Sequence, residues 1–287
     1  MNTFFISMVV VLLFPVSLIG QQIGTVTLKE GDMRLIRGTT VMQGVEGMRL
    51  NRGDILELGN PGFAQLEFVS GTVVGVGAGS RLFLLSYPNG ASTPGNAAEL
   101  VLLGGWLKGE GSPKSAFYRF DIPSLGAITK DGTVVLHASE ESSEIFVESG
   151  TATIAQLTPQ GNTSQSSTGK GGQFFARLKG KKVVIADRPS GSFINSLPIP
   201  FRDTLPSRLS RFTGKPPEPK RQHEVSYSDI RAWLVMAPRW RKNLVSRFQP
   251  RLEDDAFRQE IEAHLDDHPE WDAALNPEKD SSKQHRP

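Results

Sequence analysis

Between Met48 and Ser86 the chain repeats one device, a short apolar or alternating segment closed by glycine. Gly53-Asp54, Gly59-Asn60-Pro61-Gly62 and Ser70-Gly71 are turn signals, because glycine takes positive φ without steric cost and Asn, Asp, Pro and Ser favour turn geometry. Phe63 to Phe68 alternates at period two. That pattern predicts a strand with Phe63, Leu66 and Phe68 toward one face, after one local irregularity, and Gln65 and Glu67 toward the other. Thr72-Val73-Val74 and Arg81 to Leu85 predict two more strands. Strands this short and this closely spaced restrict the chain to a sandwich, a barrel or a solenoid.

The same texture runs from Ile23 to Ile185 and predicts about sixteen strands by pattern. Ile23 to Leu28 and Met33 to Arg37, around Lys29-Glu30-Gly31-Asp32, read as a hairpin or as successive rungs. Glu99 to Leu103 and Trp106 to Lys108 read as separate strands divided by Gly104-Gly105. Asn162 to Gly172 is polar and glycine-rich and reads as a loop or tongue. The fold class is therefore mainly β, solenoid-like or sandwich, followed by a small α-helical segment.

Four boundaries follow. The β domain covers 23–187. A linker or strap covers 188–225, with seven prolines between Pro189 and Pro219 and one short helix at Ser190 to Ser196. A helical region covers 226–275, and a polar, disordered tail covers 276–287. Ser228 is placed to cap the first tail helix, Pro238 to open the second, and Asp254 and Asp255 to open the third. Trp233, Leu234, Trp240, Phe248, Phe257, Ile261 and Trp271 are too many large apolar side chains for free helices. They predict that the tail packs back on the β body.

Residues 1–20 hold an apolar run from Phe4 to Ile19 that is short for a membrane span and contains Pro15. A secretory signal fits it, with cleavage near Gln21 and a periplasmic or extracellular mature protein. An uncleaved inner-membrane anchor and a buried first strand are the alternatives. The sequence has no cysteine, which excludes disulfides, cysteine nucleophiles and thiolate metal sites.

Motifs for chemistry do not assemble. His264 and His268 stand four apart, but Leu265 occupies the position of a zinc hydrolase's general base, and Pro269 disfavours helix at His268. His268 then reads as a surface helix end. Gly75-Val76-Gly77-Ala78-Gly79 resembles half a dinucleotide fingerprint but has no following helix, so these read as strand and turn glycines. Gly169-Lys170 lacks the other residues of a phosphate loop. No catalytic, metal or cofactor residue is assigned, and the chain reads as a non-enzyme.

Charge is more informative. Arg202 to Arg251 carries twelve basic and four acidic residues, whereas Leu252 to Pro287 carries four basic and eleven acidic. Arg239, Arg241, Lys242, Arg247 and Arg251 are candidates for contact with an anionic surface such as lipid or cell-wall polymer. The competing reading is local pairing between the basic and acidic helices.

The glycine-punctuated body resembles the FecR domain of exported regulators. The resemblance rests on Leu50 with Gly53-Asp54, on Gly62 to Phe68, on Gly71-Thr72 followed by Ser80-Arg81-Leu82, on Gly132-Thr133, and on Ile145 to Gly150, and it spans about Thr25 to Ile185. Ser70 departs from the family, which usually has Asp before the turn glycine. The resemblance is not expected to extend to a sigma-factor-binding region before the apolar run. The resemblance implies an all-β, solenoid-like or sandwich domain and a binding or signalling role. With export, the chain reads as a module of the bacterial cell envelope whose partner is a protein or envelope polymer, with no nucleic acid and no small-molecule cofactor. A membrane-anchored signal transducer, a structural spacer and an unrecognised envelope enzyme are the rival readings.

Overall fold

The structure, a computed structural model, describes residues 22–88, 92–111 and 113–276. The expected signal segment and most of the expected disordered tail lie outside them. The chain is mainly β, with helices gathered after the strands. Fifteen strands run from Gln22 to Ala186. They are β1 (Gln22–Arg37), β2 (Thr40–Gln43), β3 (Arg49–Asn51), β4 (Ile55–Phe68), β5 (Val73–Val76), β6 (Arg81–Ser86), β7 (Ala98–Glu110), β8 (Tyr118–Ile122), β9 (Leu125–Thr129), β10 (Thr133–Ala138), β11 (Ser142–Ser149), β12 (Thr151–Leu157), β13 (Thr163–Lys170), β14 (Phe174–Leu178) and β15 (Val184–Ala186). A sixteenth, β16 (Lys220–Glu224), comes from the proline-rich segment and pairs with β2.

Three long strands turn corners, and this gives the body two layers. The first half of β1 pairs with the second half of β4, and the second half of β1 with the first half of β4. β4 then pairs with β5 through one half and with β6 through the other. β7 repeats the device, meeting β6 and β8 early and β5 and β10 late. One layer is therefore β4, β5, β7, β10, β11, β14 and β15 in order. The other runs from β16 and β2 through β1, β4, β6, β7, β8, β9 and β12 to β13.

The corners sit where the sequence reading had placed breaks. Lys29 to Asp32 is a bend inside β1 rather than a hairpin. Gly59-Asn60-Pro61 bulges out of β4 opposite Asp32 rather than ending it. Gly104-Gly105 lies within β7. Glycine is needed at these corners. Gly31 has φ +70°, and a Cβ there would lie 2.4 Å from the Pro61 carbonyl oxygen. Gly105 has φ +92°, and its Cβ would meet Ser80 Oγ at 2.3 Å. Asn162 to Gly172 is corrected too. It is mostly β13, paired along β12. All but Gly169 of this edge strand is exposed, so no apolar alternation marked it.

Between the layers lies the main core, with Val26, Leu35, Leu50, Leu66, Phe68, Leu107, Phe120, Leu136 and Val147 among its members. Each layer also has an apolar outer face. Helices α2 (Tyr227–Leu234), α3 (Pro238–Arg241), α4 (Leu244–Phe248), α5 (Asp255–Ala263) and α6 (Asp272–Leu275) cover one of them, after the short helix α1 (Gly191–Ser196) in the preceding segment. Ile36, Val41, Ile55, Phe83, Val101, Ala155 and Leu157 of the body form one cluster with the tail. All seven large tail residues named above are buried. Ser226, not Ser228, caps α2, in a reciprocal capping box with Asp229. No helix among the described residues is long and apolar enough to cross a membrane.

Candidate functional site

The other outer face is covered by the proline-rich strap, and here the side chains converge. β4 alternates strictly. Ala64, Leu66 and Phe68 point into the core, while Phe63, Gln65 and Glu67 point out beneath the strap. Phe63 therefore faces opposite to its expected partners. Gln65 and Glu67 are polar, as an outward face suggests, yet both are buried. Lys108 of β7 is fully buried beside them. The cover comes from Pro198 to Arg208, about 90 to 140 residues away in the sequence.

Body side chains grip the backbone of this segment. Lys108 Nζ donates to the carbonyls of Phe201 (3.1 Å) and Asp203 (2.9 Å), and pairs with Glu148 (2.9 Å) and Glu110 (3.3 Å). The Leu205 amide donates to both Glu110 oxygens at 3.0 Å. Gln65 Nε2 donates to the Pro206 carbonyl at 2.8 Å, and the Arg208 amide to Glu67 at 2.6 Å. Ser207 Oγ and Thr27 Oγ1 also donate to Glu67. Burial by itself raises the Glu67 pKa. The hydrogen bonds from Ser207, the Arg208 amide, Thr27 and Gln65 together outweigh it and hold the carboxyl below its ordinary value.

Apolar anchors complete the contact. Phe193, Phe201 and Leu205 are buried against Phe63, Trp106, Val135 and Phe174. Phe201 and Leu205 sit over a strip without side chains, where Gly75 in β5 and Gly77 just beyond its end alternate along the chain. A Cβ on Gly75 would lie 2.8 Å from Phe201 Cε1 and 3.1 Å from Leu205 Cδ1. One on Gly77 would meet Pro198 Cγ at 3.3 Å. The glycines that resembled half a dinucleotide fingerprint thus floor a slot for a peptide chain. Their period of two along a strand was the one local sign of it.

The five candidate anion contacts lie elsewhere, on the tail. Arg239 pairs with Glu99 and, at 3.0 Å, with Asp121 of the body. Arg241 is buried and donates to the carbonyls of Leu234 (2.6 Å) and Asp267 (3.0 Å), besides pairing with Glu270. Arg247 donates to three body carbonyls, Ile36 (2.9 Å), Gly38 (2.9 Å) and Gly53 (2.6 Å). Desolvation lowers its pKa to about 10, which leaves it charged at neutral pH. Arg251 donates to the Val225 carbonyl and to Asp254. Lys242 is exposed, and no ion pair holds it among the described residues. Arg239 and Arg247 tie the tail to the body, while Arg241 and Arg251 bond within the tail, each to one carboxylate of the acidic stretch.

Among the described residues no three or more potential metal ligands cluster, around His264 and His268 or elsewhere. Both lie against the Tyr227 ring, His264 stacked at 5.0 Å and His268 edge-on at 5.9 Å. His268 is fully buried, not at a surface, and burial lowers its pKa. His137, in β10, stacks on Trp106 and bonds Glu144 at 2.8 Å.

No family model matches the sequence, and no curated protein matches it. Two crystal structures of a candidate anti-sigma factor from Parabacteroides distasonis are similar in part. One has 11% identity and a TM-score of 0.39, and the other 10% and 0.38. Each alignment covers 47% of this chain, which spans 59% of the length of that one.

Proposed function

We propose that this chain is an exported, non-enzymatic recognition module of the bacterial cell envelope, built on a FecR-like β body that binds a protein or an envelope polymer. What supports the FecR-like reading is the role of the motif residues. Gly62 to Phe68 forms the half of β4 that follows the corner. Gly71 turns β4 toward β5, and Ser80 precedes β6 and bonds the Trp106 backbone through its hydroxyl. Ile145 to Gly150 completes β11 and the turn into β12. These three motifs thus do architectural work in the two layers. The sigma-regulator role does not come with the resemblance.

Fractionation of the native host and mass spectrometry of the protein's N-terminus test the reading. The expected result is a chain starting near Gln21 in an envelope fraction, which photo-crosslinks there to a specific envelope component. An intact Met1 in the soluble cytoplasmic fraction overturns it.

A further inference from the structure

We infer that the face under the strap is a peptide-binding groove, occupied in the resting molecule by the chain's own residues 198–208, and that its ligand is a basic, extended segment of a partner protein with an aromatic residue and a leucine four positions apart. The inference rests on the binding reading above and names the class of partner.

Three observations carry it. The first is what the groove recognises. Lys108, Glu110, Gln65 and Glu67 bond to backbone carbonyls and amides of the seated segment. Backbone groups are common to every peptide, so this grip does not depend on the strap's own sequence. Selectivity falls to two side chains, Phe201 and Leu205, in the slot over Gly75.

The second is charge. The groove offers Glu67, Glu110 and Glu148 against one ammonium, a balance of −2. Residues 198–208 carry two arginines and one aspartate, a balance of +1. The seated segment is complementary, and a competing ligand must be basic too.

The third is what opening leaves behind. Removing the strap rehydrates a buried lysine and its carboxylates, and desolvation of such a cluster offsets much of its Coulomb attraction, so the closed state gains little from those ion pairs. Opening also bares Phe63, Trp106, Val135 and Phe174, an apolar floor that an incoming aromatic and leucine would cover again. On its outer side the strap leaves Ile194 and Ile199 half or more exposed, at 50% and 76%.

The test uses the full-length protein and a fluorescein-labelled peptide of residues 198–209, read by anisotropy. The Phe201→Ala/Leu205→Ala variant loses the anchors of its own strap. It is expected to bind the peptide at least tenfold more tightly than the unaltered chain does, and adding Gly75→Val is expected to abolish that binding. A variant with unchanged circular dichroism that binds no peptide, or binds a scrambled peptide equally, overturns the proposal. Should the variant not fold, hydrogen exchange on the unaltered protein decides. The amides of Leu205 and Arg208 are expected to exchange at least a hundredfold faster than those in the second half of β7, and equal protection overturns the groove as an exchangeable site. None of these measurements needs an envelope partner, so their failure leaves export and envelope binding standing, and the converse also holds.

Discussion

The two covers of the β body are attached in opposite directions. On the helical side, the tail supplies the reaching side chains. Arg247 bonds body carbonyls, Arg239 and Trp240 meet Asp121, and Trp233 donates to Glu57 at 3.0 Å. On the strap side, the body supplies them and the cover contributes mostly backbone. The surfaces differ accordingly. Ile36, Val41, Ile55, Phe83 and Val101 face the helices, and exposing them to water is costly. Lys108, Glu67 and Glu110 share the other face with its aromatics. A cover specified by its own side chains cannot be replaced by another segment, whereas one held by its backbone can.

The comparison can be broken most directly at Trp233, which is fully buried and meets Phe83 edge-on at 6.0 Å. Trp233→Ala is expected to cost about 3–5 kcal/mol in urea unfolding, the range for truncating a buried aromatic. A cost near zero would mean that the tail is no part of the cooperative fold. Next comes Arg247→Met, which strips a charged donor from three carbonyls. About 1.5–3 kcal/mol is expected, again from urea unfolding, the range for hydrogen bonds to a charged group.

Phe201→Ala sharpens the contrast on the strap side. Phe201 is as buried as Trp233, yet local opening caps what its loss can cost the whole molecule, so a global effect below about 2 kcal/mol is expected. If it costs as much as Trp233→Ala, the two covers are energetically alike and the distinction fails.

The smallest expected effects are pH-dependent, and they fall in different windows. His268 has a depressed pKa, so its contribution is complete above the ordinary value of 6.5 and is lost as pH falls through the folded value. Glu67 is depressed as well, and its contribution is complete above 4.5 and lost below. Acid should therefore loosen the tail first and the strap later. Hydrogen exchange followed from pH 7 to pH 3 checks the order. His268→Leu should remove the earlier change alone, and Glu67→Gln the later one alone.

What the sequence disclosed divides along the same line. Turn glycines, alternating strands, the helix after Ser190 and the burial of the tail's aromatics were all readable, because each signal lies within a few residues of its effect. Apart from the alternating Gly75 and Gly77, the groove was not readable. Nothing near Lys108 or Glu67 says that a segment some hundred residues on will bury them. Phe63 looked like core because its neighbours are core, while its real partner, Phe201, lies far away at a ring separation of 6.2 Å. β13 and β16 were missed for a related reason. Strands at a sheet edge, exposed on their faces, carry no apolar period, and only their hydrogen-bonded neighbours define them.

The pairing of β16 with β2 also bears on the order in which the molecule can be completed. Lys220 lies opposite Gln43. At a typical synthesis rate, the chain between them takes on the order of ten to forty seconds to emerge. Throughout that interval the outer edge of β2 has no neighbour, and an unpaired edge is a template for any other extended chain. The first strands made are thus among the last to be closed. A chaperone that holds the N-terminal third of this chain would be guarding β2, and a protein cut before residue 220 should aggregate through that edge.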